Sequence, residues 1–356
     1  MTKQLLDKLA QQGRLERQEF LSLLQGRTTA LQQEAAARAK ILREKFFGQG
    51  IFLRGLIEFS SYCHNDCYYC GLRRSNTAAQ RYRLTPEQIL ACCRNGHELG
   101  FRTFVLQSGD DSYWTDQRLV PLIQAIKRDY PDSAVTLSVG ERSFASYQAL
   151  RQAGADRYLL RHETANPQHY RHLHPAEMSW QGRQQCLRDL RTLGYQVGAG
   201  FMVGSPGQTL EHLAEDLLFL STFRPEMIGI GPFMPQHDTP FAGEPAGSVE
   251  LTLFLLSLLR LMLPNGLLPA TTALGSLHPH GRELGICAGA NVVMPNLSPE
   301  DARQKYQIYD HKLSVGAESA TGLADLQRRL QEINCHIASG RGDFIPVDPA
   351  VLHPKH

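Results

Sequence analysis

Three cysteines carry the clearest chemical signal in the sequence. They lie in the segment Cys63-His-Asn-Asp-Cys67-Tyr-Tyr69-Cys70, at C-x3-C-x2-C spacing, with the aromatic Tyr69 directly before the third thiol. Three thiolates can hold three irons of a [4Fe–4S] cluster and leave the fourth iron open. A metal centre with an open coordination position is reactive, whereas a structural site has every position closed. The spacing therefore predicts a reactive iron–sulfur cluster on Cys63, Cys67 and Cys70.

Zinc is the main alternative for these thiols. A structural zinc site has four closed ligands, typically two pairs of the C-x2-C type. The chain has eight cysteines but no second pair of this type, and His64 is the only nearby candidate for a fourth ligand. We therefore favour the cluster.

Composition limits the class of protein. The chain has 356 residues, of which 42% are hydrophobic and 20% charged, which is ordinary for a folded domain with a large core. A single α/β barrel commonly reaches this length. The net charge of +2 is spread along the sequence, whereas nucleic-acid-binding proteins concentrate lysine and arginine on one face.

The sequence gives no sign of a membrane segment or a secretory signal. The longest apolar stretch, 251–263, is interrupted by Ser257 and Arg260 and predicts a core helix. Residues 1–17 are polar, without the apolar run and small-residue cleavage site of a signal peptide. Cysteines without a disulfide framework fit a reducing compartment. We expect a cytoplasmic protein.

The elements that must position the cysteines follow a regular pattern. Residues 1–48 predict helices, because apolar residues recur at helical spacing until Gly48 and Gly50 end them. Eight strand-length apolar runs follow, at 52–59, 103–107, 134–139, 157–162, 196–203, 227–231, 267–271 and 291–294. Between them lie helix starts such as Thr85-Pro86 and Thr209-Leu210.

Eight strands that alternate with helices predict a (β/α)8 TIM-type barrel. We expect a helical extension at 1–50, the barrel at 51–312, and a C-terminal tail at 313–356 that packs on the barrel and contains a helix at 324–333. Chemistry in such a barrel belongs at the carboxyl ends of the strands. The three cysteines follow the first strand, so the motif and the fold agree.

Charged residues on two of the strands also need an explanation. Alternation puts Arg157, Arg161 and Glu163 on one face of the fourth strand, and buried charges must be paired or solvated. These residues form either a structural ion-pair network or a ligand site. Arg54 and Glu58 alternate in the same way on the first strand, and we expect them to be structural partners of that network.

Three further strand ends offer groups for a ligand. Segment 107–110 is either a binding segment or an ordinary Ser-Gly-Asp turn. The glycines of 198–209 let the backbone approach a ligand closely, although a Pro-Gly turn before a helix explains part of that segment. Thr271 and Thr272 offer two hydroxyl groups and a helix start that suit a small anion.

Taken together, these segments resemble the HydE family of radical S-adenosylmethionine (SAM) enzymes, the maturases of [FeFe]-hydrogenase. The cysteine spacing with its preceding aromatic is similar to the signature of the radical SAM superfamily. The resemblance to the family spans residues 50–312 in order. The matching segments are 57–60, 63–74, 81–86, 105–109, 157–167, 198–209, 228–233, 238–240, 269–273 and 291–296.

The resemblance implies a monomeric barrel with SAM above the cluster and a long internal cavity. Cleavage of SAM would give a 5′-deoxyadenosyl radical that attacks an anionic Fe–cysteine–CO–cyanide species. The tyrosine lyase HydG would supply that substrate, and products would pass to the GTPase HydF. By matching positions, the SAM site would comprise Tyr69, Gln107, Arg161, Glu163, Arg183, Met227 and Tyr306. Arg157, Thr271 and Thr272 would form an anion-binding floor, which suits a negatively charged substrate.

The chain departs from the family pattern in two places. The Gly-Gly-Glu-like segment that receives the SAM amino group is replaced by Gln-Ser-Gly-Asp at 107–110. Many HydE proteins bind a second cluster through three cysteines beyond the last strand, but 311–330 contains no cysteine and Cys335 stands alone. We therefore expect one [4Fe–4S] cluster.

Three alternatives to a hydrogenase maturase stay open. Methylornithine synthase shares the barrel and the cysteine spacing, and an amino-acid pocket would also use arginines and hydroxyl groups. Biotin synthase needs further cysteines for a [2Fe–2S] cluster, for which Cys92, Cys93, Cys186 and Cys287 are candidates by number only. A cluster scaffold without radical chemistry would have no SAM site.

Overall fold

The computed structural model describes residues 2–313 and 322–347. The helices are α1 (Thr2–Gln12), α2 (Arg17–Gln25), α3 (Thr29–Phe47), α4 (Pro86–Glu98), α5 (Asp116–Asp129), α6 (Phe144–Gln152), α7 (Pro167–Leu173), α8 (Trp180–Thr192), α9 (Leu210–Phe223), α10 (Val249–Met262), α11 (Thr272–Leu277), α12 (Gly281–Cys287), α13 (Glu300–Lys305) and α14 (Leu323–Glu332). The strands are β1 (Gly50–Leu53), β2 (Gly55–Ser60), β3 (Thr103–Ser108), β4 (Ala134–Ser138), β5 (Arg157–Leu159), β6 (Gln196–Ala199), β7 (Met202–Val203), β8 (Met227–Ile228), β9 (Gly231–Pro232), β10 (Val292–Val293) and β11 (His336–Ala338).

The strands form a closed parallel barrel. Six of them pair in the order β2-β3-β4-β5-β6-β8, and β10 pairs with β1. Three parallel bridges complete the circle: Met227 to Leu267, Pro269 to Val292, and Leu56 to Asn296. The predicted (β/α)8 barrel is confirmed, with its seventh strand reduced to the bridges at Leu267 and Pro269. The strands are largely buried on both faces because one face lines the interior and the other packs under helices.

Three of the predicted strands are each divided in two, and residues 229–230 separate β8 from β9. Arg54 separates β1 from β2, and residues 200–201 separate β6 from β7. Gly200 has φ of +152°, and a Cβ there would stand 2.0 Å from the carbonyl oxygen of Gly229. Only glycine therefore allows the fifth and sixth strands to lie this close together. The interruption changes the direction of the chain at the rim of the barrel.

The helix boundaries follow the capping signals in the sequence. Thr85 and Thr209 each cap their helices in a capping box, and α3 ends where Gly48 adopts φ of +60°. The predicted N-terminal helices are present as α1 to α3, and they pack on the outer side of the barrel against α9 and α10. Their apolar faces join the main core.

The apolar stretch predicted as a core helix is α10. Its Arg260 is fully buried and donates hydrogen bonds of 2.8 Å to three main-chain carbonyl groups, so its charge has a structural role. Burial lowers the pKa of Arg260 to about 9. Among the described helices, none has both the length and the apolar character that crossing a membrane requires.

The C-terminal segment closes the amino-terminal end of the barrel. The predicted helix at 324–333 is α14, and β11 pairs in parallel with β1. Beyond β11, Asp343 forms an ion pair of 2.6 Å with Arg157, which is fully buried at the start of β5. The main-chain carbonyl group of Arg341 accepts a second hydrogen bond from Arg157 at 2.9 Å. The division into 1–50, 51–312 and 313–356 stays a prediction.

The Arg157–Asp343 pair predicts a stability difference. Burial alone would raise the pKa of Asp343, but Arg157 and Arg341 outweigh it and hold that pKa below its usual value. Asp343→Asn should lower the free energy of unfolding by about 1–3 kcal/mol, because it leaves the buried Arg157 charge without its carboxylate. Chemical denaturation at several pH values measures this difference.

The pH dependence of this effect has a defined sign. The carboxylate stabilises the native protein above the unfolded-state pKa of about 3.9, and this contribution is lost as the pH falls through the lower native pKa. The difference between the two proteins should therefore be constant near neutrality and shrink in acid. The matched control is Asp325→Asn, which removes an exposed ion pair with Arg328 and should change stability by less than about 0.5 kcal/mol. Equal losses in both variants would contradict the assignment.

Candidate active site

The cysteine segment leaves the carboxyl end of β2 as a loop fixed by its own polar side chains. Asp66 accepts hydrogen bonds from Arg73 at 2.9 and 2.7 Å, and Arg73 holds the pKa of Asp66 well below its usual range. Arg81 donates to the carbonyl groups of Leu72 and Arg73 at 2.9 and 2.7 Å. These contacts hold the loop closed and leave its thiols facing inward.

All three thiols line one cavity of about 400 Å³ inside the barrel. The described residues contain no group of three His, Cys, Asp or Glu side chains close enough to share a single metal ion. Three thiolates that share one cavity can each hold one iron of a [4Fe–4S] cluster and leave the fourth iron open. His64, the candidate fourth ligand of a zinc site, is 57% exposed and faces Asp110 outside the cavity.

The residues expected around SAM lie in the same cavity as the thiols. The lining includes every member of that set: Tyr69, Gln107, Arg161, Glu163, Arg183, Met227 and Tyr306. Gln107 at the end of β3 donates a hydrogen bond of 3.5 Å to the Tyr306 hydroxyl group. Strand ends and the segment after α13 thus converge on one space.

Glu163 is held in an unusual backbone conformation. Its φ is +64°, a region that costs free energy for residues other than glycine, and its N–H donates to the carbonyl group of Gly200 at 3.0 Å. The buried His162 beneath it accepts from the N–H of Gly200 and pairs with Asp216 at 3.3 Å. This pair fixes the turn that aims the Glu163 side chain into the cavity.

The charge of Glu163 is set by its neighbours. Burial raises its pKa, but Arg161, at 2.8 Å, and Arg183 outweigh burial and hold the pKa of Glu163 below its usual value. Arg183 is itself fixed by Glu141 at 2.5 Å and by the carbonyl group of Arg161 at 2.6 Å. An ionised carboxylate in this position accepts hydrogen bonds, as the recognition of ligand hydroxyl groups requires.

Tyr69 is oriented by a buried histidine. His174 donates from Nδ1 to the carbonyl group of Tyr170 at 2.9 Å, so its Nε2 accepts from the Tyr69 hydroxyl group at 3.2 Å. Burial lowers the pKa of His174 to about 4, which keeps the ring neutral and able to accept. The aromatic ring before the third cysteine therefore has one fixed orientation.

A second part of the cavity lining, which we call the floor, carries unpartnered polar atoms. The Nε and Nη2 atoms of Arg54 and the hydroxyl groups of Thr136 and Thr271 are buried, and within the described ranges they have no hydrogen-bond partner. All three residues line the cavity. Burial, together with the charge of Arg157, lowers the pKa of Arg54 well below its usual value. A buried cation with free donors is a site that an anion would complete.

Two expectations about the charged strands need correction. Arg54 is not a partner in an ion-pair network, because Glu58 pairs instead with Lys312 and with Asn296 at 2.8 Å. Arg157 is absent from the cavity lining, because the C-terminal segment supplies Asp343 to it from below. Thr271 and Thr272 do line the cavity, as expected.

The chain is similar to known proteins in both sequence and fold. Residues 57–220 match the Radical SAM superfamily. The chain is 48% identical over 274 residues to the [FeFe] hydrogenase maturase subunit HydE of Thermotoga maritima, covering 77% of this chain and 78% of that protein. The chain belongs to the HydE family of radical SAM enzymes. It is therefore an enzyme that uses a [4Fe–4S] cluster and SAM, and the thiols and cavity described above fit both groups.

Proteins with a different activity are also similar to this chain in sequence and fold. The chain is 32% identical over 295 residues to the 3-methylornithine synthase of Methanosarcina barkeri, covering 82% of each protein. The crystal structure of methylornithine synthase PylB superposes with a TM-score of 0.80 at 29% identity, covering 94% of this chain and 97% of that one. Because one barrel supports both activities, the cavity must distinguish them.

The remaining cysteines lie away from the cavity. Cys92 and Cys93 are buried in α4, Cys186 and Cys287 lie on α8 and α12, and Cys335 contacts Arg43. None of these five lines the cavity that holds Cys63 and its partners. The arrangement gives no support to the biotin synthase alternative, which needs additional thiols beside the substrate.

Three residues that line the cavity of this HydE-family enzyme are not among the site residues predicted from the sequence: Thr136, Arg54 and Lys312. Thr136 stands between Val135 and Leu137 on β4, so strand alternation was the signal that could have found it. Arg54 carried the same signal but was assigned to an ion-pair network. Lys312 lies 254 residues from its partner Glu58, and no local pattern links them.

Gly109 packs closely against the cysteine loop, so a side chain at this position should reduce the iron content of the enzyme. A Cβ at Gly109 would stand 2.2 Å from the Tyr62 carbonyl oxygen and 2.8 Å from Cβ of Cys63, so the loop would have to move. After anaerobic reconstitution we expect about four irons per chain in the unaltered enzyme and less than about half of that in Gly109→Ala. Gly243→Ala is the control, because its Cβ would meet no atom within 4 Å. Equal iron content in both variants would refute this role of Gly109.

Proposed function

We propose that the enzyme cleaves SAM reductively and acts on a small anionic iron species in the assembly of the diiron site of [FeFe]-hydrogenase. The observation that carries the proposal is the buried guanidinium group of Arg54 in the cavity, whose Nε and Nη2 atoms have no partner among the described residues and whose Nη1 donates to the Met227 sulfur atom at 2.7 Å. When bound, the cluster supplies the electron that breaks the sulfonium C–S bond of SAM. The chain's own residues then have two tasks, one at each end of the cavity.

The upper end binds and orients SAM. The Glu163 carboxylate, kept ionised by Arg161 and Arg183, accepts hydrogen bonds from ribose hydroxyl groups. Tyr69 packs beside SAM in the orientation that His174 fixes. Enclosure by the barrel excludes water, which would otherwise compete for these hydrogen bonds.

The lower end binds the substrate anion. Arg54 presents two free nitrogen atoms, and Thr136 and Thr271 each present a free hydroxyl group. An Fe–cysteine–CO–cyanide species carries negative charge and cyanide nitrogen atoms that accept hydrogen bonds, so it matches these donors. Because the residues assigned to SAM and those of the floor line one cavity, SAM and the substrate would be held in the same space.

The carboxylates of the cavity lining favour this substrate over that of a methylornithine synthase. The carboxylate of an amino-acid product would also suit Arg54 and the two hydroxyl groups, but its two ammonium groups need carboxylate partners. The carboxylates that line the cavity are Glu58, Asp110 and Glu163, all at the carboxyl ends of strands, and Glu58 and Glu163 already pair with Lys312 and Arg161. The floor itself presents a cation.

The proposal extends to partners and to the number of clusters. The name of the Thermotoga maritima relative supports a role in hydrogenase maturation. We place HydG before this enzyme as the source of the iron species and HydF after it as the acceptor. The lack of cysteine in 311–330 supports a single [4Fe–4S] cluster.

The first half of the proposal predicts SAM cleavage by the isolated enzyme. Anaerobically reconstituted protein with dithionite and SAM should release 5′-deoxyadenosine and methionine, measured by chromatography. Glu163→Gln removes the charge that recognises the ribose and should raise the KM for SAM about tenfold or more. An intact cluster without any 5′-deoxyadenosine would instead support the scaffold alternative.

The second half predicts a separation of SAM cleavage from maturation. Arg54→Gln removes the floor cation and leaves the thiols and Glu163 unchanged, and the glutamine amide can still donate to the Met227 sulfur atom that Arg54 now contacts at 2.7 Å. It should leave dithionite-driven SAM cleavage within about twofold and reduce hydrogenase activation with HydG and HydF by about tenfold or more, because charge-assisted hydrogen bonds contribute about 1.5–3 kcal/mol.

The matched control for the floor is an arginine far from it. Arg74→Gln changes a side chain that is 60% exposed beside the cysteine loop and should affect neither assay. If Arg54→Gln abolished SAM binding as well, the two ends of the cavity would not be separate. Unimpaired maturation would remove the anion-binding role of Arg54.

A further inference from the structure

An exposed stack of tyrosines and arginines lies on the rim of the barrel beside the cluster segment. The guanidinium carbon of Arg83 is 3.7 Å from the ring centre of Tyr62 and 4.8 Å from that of Tyr113. The guanidinium carbon of Arg118 is 3.9 Å from the Tyr113 ring centre. We call these four residues the Tyr–Arg ladder. Tyr62 is 36% exposed and Tyr113 is 41% exposed.

The ladder is held rigidly from below. Asp111 is buried and accepts from Arg83 at 2.7 and 3.0 Å, from the N–H of Tyr113 at 3.0 Å and from the Ser60 hydroxyl group at 2.6 Å. Arg118 donates to the carbonyl group of Tyr113 at 2.8 Å. A surface whose side chains are already fixed loses little entropy when a partner binds.

Arg118 occupies a position that its own helix does not favour. It stands in the first turn of α5, where the helix dipole makes a positive side chain unfavourable. Within the described residues no carboxylate lies within ion-pair distance of it. The Tyr113 ring and carbonyl group hold Arg118 in place but leave its charge without a carboxylate, so a negatively charged partner would complement it.

The ladder is next to the cluster in space and in sequence. Tyr62 immediately precedes Cys63, and Asp110, next to the Asp111 anchor, donates its N–H to the Cys63 thiol at 3.3 Å. Any protein that covers the ladder therefore lies against the cluster-binding loop. Tyrosine and arginine are also the residue types enriched at the energetic centres of interfaces.

The proposed reaction needs an electron from a partner. Each SAM that is cleaved consumes one electron, which is returned to the cluster by a low-potential carrier. We propose that the Tyr–Arg ladder is the docking surface for a small acidic electron-transfer protein of the ferredoxin class. One reduced ferredoxin is oxidised for each SAM converted to methionine and a 5′-deoxyadenosyl radical. This inference rests on the proposed SAM cleavage, and a small encounter surface suits such transient complexes.

Charge reversal at Arg118 tests the docking surface. Arg118→Glu should raise the dissociation constant for an acidic plant-type ferredoxin about 5- to 10-fold at low salt, measured by titration calorimetry on the reconstituted enzyme. Ferredoxin-driven release of 5′-deoxyadenosine at subsaturating ferredoxin should fall by the same factor. The dithionite-driven rate should not change, because dithionite needs no docking surface.

Arg128→Glu is the matched control. It makes the same change at the other end of α5, where Arg128 is 72% exposed. It should leave both ferredoxin affinity and both rates unchanged. Tyr113→Ser removes the central ring of the ladder without altering charge and should weaken ferredoxin binding at high salt as well as at low salt.

The outcomes separate the docking inference from the reaction beneath it. Unchanged ferredoxin affinity in Arg118→Glu, or an equal loss in Arg128→Glu, would overturn the docking surface while leaving SAM cleavage intact. Loss of the dithionite-driven rate in Arg118→Glu would make the residue structural and also overturn it. Absence of dithionite-driven cleavage in the unaltered enzyme would overturn the proposed function itself.

Discussion

A charge buried inside a closed barrel must be neutralised, and this constraint organises the interior of the protein. Glu58 pairs with Lys312, Glu163 with Arg161, and Arg157 with Asp343. Two of these partners come from beyond the last strand of the barrel, at 312 and 343. Arg54 alone lines the cavity as a cation without a carboxylate among the described residues. Among the described cations that line the cavity, Arg54 is thus the one that a substrate anion would neutralise.

The two ends of the cavity also differ in whether their polar groups have partners. At the carboxyl ends of the strands, the cysteine loop, Glu163 and Tyr69 are each fixed by polar contacts within the protein, so their orientation does not depend on a ligand. On the floor, two nitrogen atoms of Arg54 and the hydroxyl group of Thr271 have no hydrogen-bond partner among the described residues. A preorganised upper end suits a ligand that every family member uses, whereas an unsatisfied floor suits a specific substrate.

Shared architecture explains why this barrel alone does not define an activity. The chain is 32% identical to a 3-methylornithine synthase and superposes on PylB with a TM-score of 0.80. What differs between such enzymes is the chemistry of the few side chains that face the substrate. Here the floor is cationic because of Arg54. The charge of Arg157 is neutralised by Asp343 from the C-terminal segment. A segment outside the barrel therefore helps to set the charge within it.

The sequence by itself determined the local features: the cysteine motif, the capped starts of α4 and α9, the alternation of strands and helices, and seven cavity residues assigned to SAM through the family resemblance. Each depends on residues close together in the chain or on a motif of fixed spacing. Only the tertiary structure decided which charges are paired. Lys312 and Asp343 lie 254 and 186 residues from their partners, so the sequence could not distinguish Arg54, which is unpaired, from Arg157, which is neutralised. Charge pairing depends on distance in space, and chain separation carries no information about it.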